Sequence, residues 1–313
     1  KGKLKVEDLS FEYPLYSGKE NRKIIDGLSL LTCPGEVVVL IGGPESGKST
    51  LSLILSALVP AHTGGSLSGK IDLDGTDILK SRTADLIENC GVIFQDPEKQ
   101  IITTDCFSEA VFSLESLGIP EEQAVKRARE AMDFLNISHL QGAGTYEISG
   151  GEKKKLALAG VFGVNPDLWI LDEALEELDS PSRKDLVAFL RKSGKTVIII
   201  TSKYYEVLEN ADSFYLLKNG RLSGKMNIPF TEDFISELKG EGVIPDFDGV
   251  KAVGKSSGAG NESGLLTADN ISFSYNERKG PADGGFLLQV DHFTLHENEI
   301  VSIVGRNGCG KST

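Results

Sequence analysis

The chain has 313 residues, room for about two domains, and its 40% hydrophobic and 25% charged residues are the balance of a packed globular protein. A net charge of -13 disfavours general binding to phosphodiester backbones, which repel it. Four scattered cysteines (Cys33, Cys90, Cys106, Cys309) form no C-x-x-C pair, which argues against a zinc-ligand framework, and no apolar run approaches the roughly 18 residues a membrane span needs.

In chain order, the first predicted strand is Val37 to Ile41, an apolar, β-branched run of the kind buried on both faces. Gly42-Gly43-Pro44-Glu45-Ser46-Gly47-Lys48-Ser49 follows and fits G-x-x-x-x-G-K-[ST], and a predicted helix runs from Lys48 to Leu58. Cys106 to Leu140 carries helical patterning, interrupted at Gly118-Ile119-Pro120. Ile148-Ser149-Gly150-Gly151-Glu152 precedes a helix predicted from about Lys153, and Lys153-Lys154-Lys155 reads as its solvated face. Leu168 to Leu171 and Thr196 to Ile200 are further buried strands, and alternation of this kind implies a largely parallel sheet. Phe214 to Leu222 reads as a hairpin turning at Asn219-Gly220.

The first chemistry is phosphate binding. A loop of this composition exposes backbone N–H groups at a helix N-terminus, where the dipole favours an anion. Lys48 can reach the β- and γ-phosphates of ATP, and Ser49 can offer its hydroxyl to Mg²⁺. Asp172, at the tip of an apolar strand, can hold the Mg²⁺ shell, and Glu173 can polarise an attacking water.

The chain also repeats itself. Leu9 to Tyr13 reappears as Ile271 to Tyr275, Glu36-Val37-Val38 as Glu299-Ile300-Val301, and Lys48-Ser49-Thr50 as Lys311-Ser312-Thr313, at nearly one offset. Gly305-Arg306-Asn307-Gly308-Cys309-Gly310-Lys311-Ser312 is therefore expected to be a second phosphate loop. The expected organisation is a complete first domain over 1–246, a Gly/Ser/Lys-rich flexible linker over 247–264, and the start of a second domain over 265–313. By the repeat, roughly 196 residues of the second copy are expected beyond Thr313, and Lys1 in place of Met leads us to expect chain upstream. A piece without the second signature is expected to bind ATP and hydrolyse little of it alone.

Ser149 to Glu152, upstream of Asp172, resembles the L-S-G-G-Q signature of the ABC (ATP-binding cassette) ATPases. The resemblance implies an α/β P-loop NTPase fold, an ABC-type nucleotide-binding domain with a helical subdomain and an antiparallel β subdomain. It implies head-to-tail pairing, in which Ser149, Gly150, Gly151 and Glu152 close over the γ-phosphate held by the other domain's loop. It assigns Tyr13, and Tyr275 in the second copy, to adenine stacking, Gln95 to Mg²⁺, water and sensing of a transmembrane partner, and Leu178-Asp179 to communication between sites. Phe94-Gln95-Asp96-Pro97-Glu98-Lys99-Gln100 is similar to the F-Q-N-P-x-x-Q stretch of the energy-coupling factor importers, as are Glu109 to Phe112, Glu115 to Pro120 and Glu241 to Pro245. That branch implies uptake of vitamins or of nickel and cobalt, on the cytoplasmic face of the membrane. Its partners are a transmembrane coupling subunit and a small substrate-binding membrane subunit, with the second ABC domain in the same chain and no nucleic acid.

Two positions depart from that pattern. Thr201-Ser202 stands where the family has a switch histidine, and Glu45 stands where the second copy has Gly308. A carboxylate beside triphosphate is unfavourable unless it points to solvent, and Pro44 has no N–H to donate. We therefore expect the Lys48 site to hydrolyse slowly and the Lys311 site to be the main engine. His292 and His296 fall in a strand region, about 13 Å apart, and are not expected to share a metal; His62 and His139 receive no role. Two other readings remain open on sequence alone: a soluble tandem ABC ATPase on ribosomes or DNA, and a nucleotide-gated module with little hydrolysis.

Overall fold

The computed structural model describes residues 1–14, 22–96, 99–176, 178–244, 264–273, 287–296 and 301. The chain divides into two compact units, Lys1–Asp246 and Phe247–Thr313. In the first, the elements are β1 (Leu4–Tyr13), β2 (Arg22–Leu31), β3 (Val37–Ile41), α1 (Lys48–Leu55), β4 (Ser66–Leu73), β5 (Thr76–Asp77), α2 (Thr83–Leu86), β6 (Cys90–Ile93), α3 (Cys106–Ser116), α4 (Glu121–Phe134), α5 (Gly150–Val164), β7 (Leu168–Asp172), α6 (Ser180–Lys192), β8 (Thr196–Thr201), β9 (Ser213–Lys218), β10 (Arg221–Leu222) and α7 (Glu232–Gly240).

The central sheet runs β10-β9-β3-β8-β7-β6, parallel except for the β9–β10 hairpin. The middle strands β3, β7 and β8 are apolar through their interiors because both faces are covered. Val37, Val39 and Ile41 face one core with the helical layer, while Val38 and Leu40 face a second core with α1 and β1. The same alternation splits Trp169 and Leu171 from Leu168 and Ile170. A second, antiparallel sheet, β2-β1-β4-β5, closes the latter core. Helices α3, α4 and α5 pack on one another to form the helical subdomain.

Several boundaries differ from expectation. Helix α1 stops at Leu55, where Ala57 takes a left-handed φ of 56°. Helix α5 begins at Gly150 rather than near Lys153, because Ser149 caps it and Glu152 completes a capping box. Tyr13 is the last residue of β1, a ten-residue strand that precedes the first one predicted, Val37 to Ile41. Lys154 is 1% exposed, which corrects the solvated-face reading of the lysine run. The reason is periodicity: Lys154 lies one turn before Leu158, on the buried face of α5. Among the described residues, no helix is long and apolar enough to cross a membrane.

In the second unit, β11 (Gly264–Phe273) and β12 (Leu288–His296) pair antiparallel. Gly264, counted with the linker by composition, is thus the first residue of a strand, paired with His296. Asn270 takes a φ of 49°, and Asp8, its counterpart in the repeat, a φ of 46°. Asp and Asn tolerate this left-handed backbone better than most residues. His292 and His296 both lie on β12, where His292 Nδ1 pairs with Asp269.

Candidate functional site

The loop between β3 and α1 is held by two backbone hydrogen bonds from outside it and by one side-chain bond within it. Gly42 N–H donates to the Thr201 carbonyl at 3.1 Å, Gly220 N–H donates to the Ser46 carbonyl at 3.1 Å, and Ser46 Oγ donates to the Gly43 carbonyl at 2.9 Å. Gly47 caps α1 with a φ of 103° and no side-chain cap hydrogen bond, the arrangement of an anion-binding helix N-terminus. A Cβ on Gly42 would fall 2.4 Å from the Leu217 carbonyl, and one on Gly43 would fall 2.8 Å from the Glu241 carbonyl. A cavity of about 320 Å³ opens here, lined by Ile24 and Glu45 to Thr50. That volume is in the range of small-ligand clefts.

Lys48 turns back into its own loop, donating to the Gly42 carbonyl at 2.8 Å, the Gly43 carbonyl at 2.6 Å and Ser46 Oγ at 3.4 Å. Burial lowers its pKa, and the charges of Glu173 and Asp172 work in the other direction. Those acids are therefore electrostatic neighbours of the lysine. Ser49 is exposed and Thr50 half-buried. Pro44 and Glu45 are exposed too, so the Glu45 carboxylate has the solvent outlet its position demands.

Asp172 ends β7, 2% exposed, and its Oδ1 has no hydrogen-bond partner. Burial, reinforced by the charge of Glu173, pushes its pKa up to about 6 against the pull of Lys48 and Lys154. The Ser52 hydroxyl on α1 faces it, also buried, without completing a hydrogen bond. A buried carboxylate oxygen left unpartnered beside a loop with an exposed serine hydroxyl fits a divalent cation or its water shell.

Glu173 follows at a φ of 52° and is 5% exposed. Its N–H donates to the Ile200 carbonyl at 2.9 Å, and its Oε2 accepts from the Ser202 N–H at 3.0 Å. Ser202 thus reaches Glu173 through its backbone. Gln95 is exposed, two residues beyond β6, and its carbonyl accepts from Lys154 Nζ at 3.0 Å. Tyr13 is half-buried, with its ring edge-on to Phe11 at 4.7 Å. Leu178 is buried, and Asp179 caps α6 through Ser182 N–H.

Ser149 and Glu152 are bound to each other: Ser149 N–H donates to Glu152 Oε2 at 2.8 Å, and Glu152 N–H to Ser149 Oγ at 3.4 Å. His139 stands 3.5 Å from Glu152. Burial would raise the pKa of Glu152, but hydrogen bonds from Ser149 and His139 outweigh it and hold the carboxyl low. Gly150 is exposed and Gly151 half-buried at the start of α5. The second-copy candidates Tyr275, Gly305, Asn307, Gly308, Cys309, Gly310, Lys311, Ser312 and Thr313 lie outside the described residues.

Three neighbours of the site were given no site role by the sequence reading. Lys154 donates to both the Gln95 and Glu173 carbonyls, and helical period counted back from Leu158 would have found it. Gln100 clasps β6, accepting from Phe94 N–H at 2.9 Å and donating to the Val92 carbonyl at 3.0 Å. Glu241 packs its backbone against Gly43 and pairs with Lys218 at 2.8 Å, a contact between distant segments that no local pattern announces.

Comparison with known proteins bears on this geometry. The ABC transporter family model matches residues 25–176. The chain is 35% identical over 228 residues to the energy-coupling factor transporter ATP-binding protein EcfA1 of Fusobacterium nucleatum, covering 72% of this chain and 82% of that one. It is 32% identical over 317 residues to a provisionally described ABC transporter ATP-binding protein of Methanosarcina acetivorans, covering 99% of this chain but 57% of that one. The solved structure of cbiO1 from Clostridium perfringens, part of the ABC transporter complex cbiONQ, superposes with a TM-score of 0.61 at 30% identity. It covers 76% of this chain and 93% of that one.

Proposed function

This chain belongs to the ABC transporter family of ATP-binding proteins, and from that premise we propose that it binds and hydrolyses ATP to power a membrane importer of the vitamin or transition-metal (cobalt or nickel) type. The observation that carries the reading is the meeting of the Gly42–Lys48 loop with Glu173 and with buried Asp172, whose Oδ1 has no hydrogen-bond partner. The loop amides and Lys48 would bind and orient the triphosphate, with Lys48 exchanging its own-loop carbonyls for phosphate oxygens. Ser49, Asp172 and Gln95 would hold Mg²⁺, which supplies charge neutralisation on the phosphates. Glu173, fixed by the Ser202 amide, would take a proton from the attacking water. Ser149 to Glu152 would serve the loop of a second ABC domain, and the repeated left-handed residue at Asp8 and Asn270 supports such a domain in the same chain.

An apolar groove of about 330 Å³ beside Gln95, lined among others by Leu58, Ile87, Val92, Phe94, Gln100 and Val161, supports docking of a transmembrane coupling subunit. A small substrate-binding membrane subunit would complete the assembly on the cytoplasmic face of the membrane. The net charge of -13 favours this over a nucleic-acid partner.

The test is nucleotide binding and turnover. Lys48→Ala should weaken ATP affinity at its own site by at least tenfold, and unchanged affinity there would sink the reading. A second, narrower reading is that the Lys48 site turns over slowly. It is favoured by Ser202, which offers Glu173 an amide where an imidazole would also reach phosphate. Glu173→Gln in the full-length chain should then spare most turnover, and the matching acid of the second domain should abolish it. Near-complete loss with Glu173→Gln alone would refute the asymmetry.

A further inference from the structure

Lys154 is among the largest fully buried side chains, and it carries a charge. Its ammonium donates to the Gln95 carbonyl at 3.0 Å and to the Glu173 carbonyl at 3.3 Å. Those two residues follow adjacent parallel strands, β6 and β7. The lysine itself belongs to α5, whose first turn is the Ser149–Glu152 capping box. Bulk alone would be met by methionine or leucine without the cost of desolvating an ammonium. The charge is therefore tied to what its donors hold: two loop carbonyls and the acidic environment of Asp172.

We propose that Lys154 is a positioning residue that fastens the Gln95 loop and Glu173 to helix α5, so that the three move as one body. A displacement of α5, when its N-terminus meets a nucleotide, reaches Glu173 through one side chain. A displacement of the Gln95 loop by a docked partner reaches it the same way. The inference rests on the proposed function for the roles of Gln95, Glu173 and the N-terminus of α5.

The experiment uses the full-length chain with Lys154→Met, which keeps bulk and removes donors, Lys154→Gln, which keeps donors without charge, and Lys154→Arg. Hydrogen exchange is followed at residues 93–96 and 173–176 without nucleotide. The kcat and KM for ATP are measured in a Lys311→Ala background, where remaining turnover comes from the Lys48 site. Lys154→Met should raise exchange in both segments at least tenfold, together, and leave β3 and β8 unchanged. It should lower kcat at least tenfold with KM within threefold, and Arg and Gln should recover most of both. Parental exchange in either segment, or a rise in KM matching the loss in kcat, would overturn the proposal. If Lys154→Met does not fold, the parent chain decides. A non-hydrolysable ATP analogue must then change exchange in the two segments together, and a change in one alone overturns it. A parent that neither binds nor hydrolyses ATP would count against the proposed function, while exchange in the nucleotide-free variants would still judge Lys154.

Discussion

Asp172 carries a cost in the free fold that its proposed Mg²⁺-holding role would offset. Its carboxyl is buried, lacks a partner for Oδ1, and has its pKa pushed up to about 6. A carboxyl raised in the folded state favours the protonated form. Its ionisation therefore costs nothing below the unfolded pKa near 4, and the penalty grows as pH rises through about 6. At neutral pH the penalty is on the order of 3 kcal/mol. Asp172→Asn should raise the melting temperature of the nucleotide-free protein at pH 7.5 by several degrees, with little gain at pH 4.5, while weakening Mg-ATP binding. Melts across that range check it, and an equal gain at both pH values would remove the burial argument. Asp172 and Glu173 were legible as a strand ending in acids. That Ser202 would hold Glu173 through its backbone N–H was not, because the contact joins the ends of β7 and β8 and leaves no trace in the local pattern.

At the scale of elements, α1 and α5 are both built around their N-termini, in opposite ways. Helix α1 starts from Gly47 with no side-chain cap, whereas α5 is closed by Ser149 and Glu152. Ser149→Ala should cost about 1 kcal/mol of stability, and guanidinium unfolding would measure it. The phosphate loop leans on the segment after α7. Gly43→Ala would drive a Cβ to 2.8 Å from the Glu241 carbonyl and 3.2 Å from its carboxylate. Backbone must then shift, and a loss of roughly 1–3 kcal/mol with at least tenfold weaker ATP binding is expected. Parental ATP affinity in Gly43→Ala, read by titration, would show that the loop tolerates the displacement. The buried strands were readable because an apolar run covered on both faces is visible in composition. The start of α5 was misplaced because Gly150 and Gly151 are poor helix formers that the capping box overrides.

At the scale of the molecule, the proposed docking of a membrane subunit falls on the groove beside Gln95. Ile87, 38% exposed at the groove, can be changed without opening the core. Ile87→Glu should leave ATP binding unchanged and reduce recovery of membrane subunits by at least tenfold in co-purification from membranes. Undiminished recovery would direct the search to another face. The sequence by itself determined the phosphate-loop pattern, the strand–helix alternation, the repeated strings and the family, because each is written in contiguous residues or a fixed spacing. Only the tertiary structure decided that Lys154 is buried between two loops, that Glu241 braces Gly43, and that Asp172 keeps an oxygen without a partner. Those facts depend on which distant segments exclude water from a side chain, and burial of that kind is a property of packing rather than of neighbours along the chain.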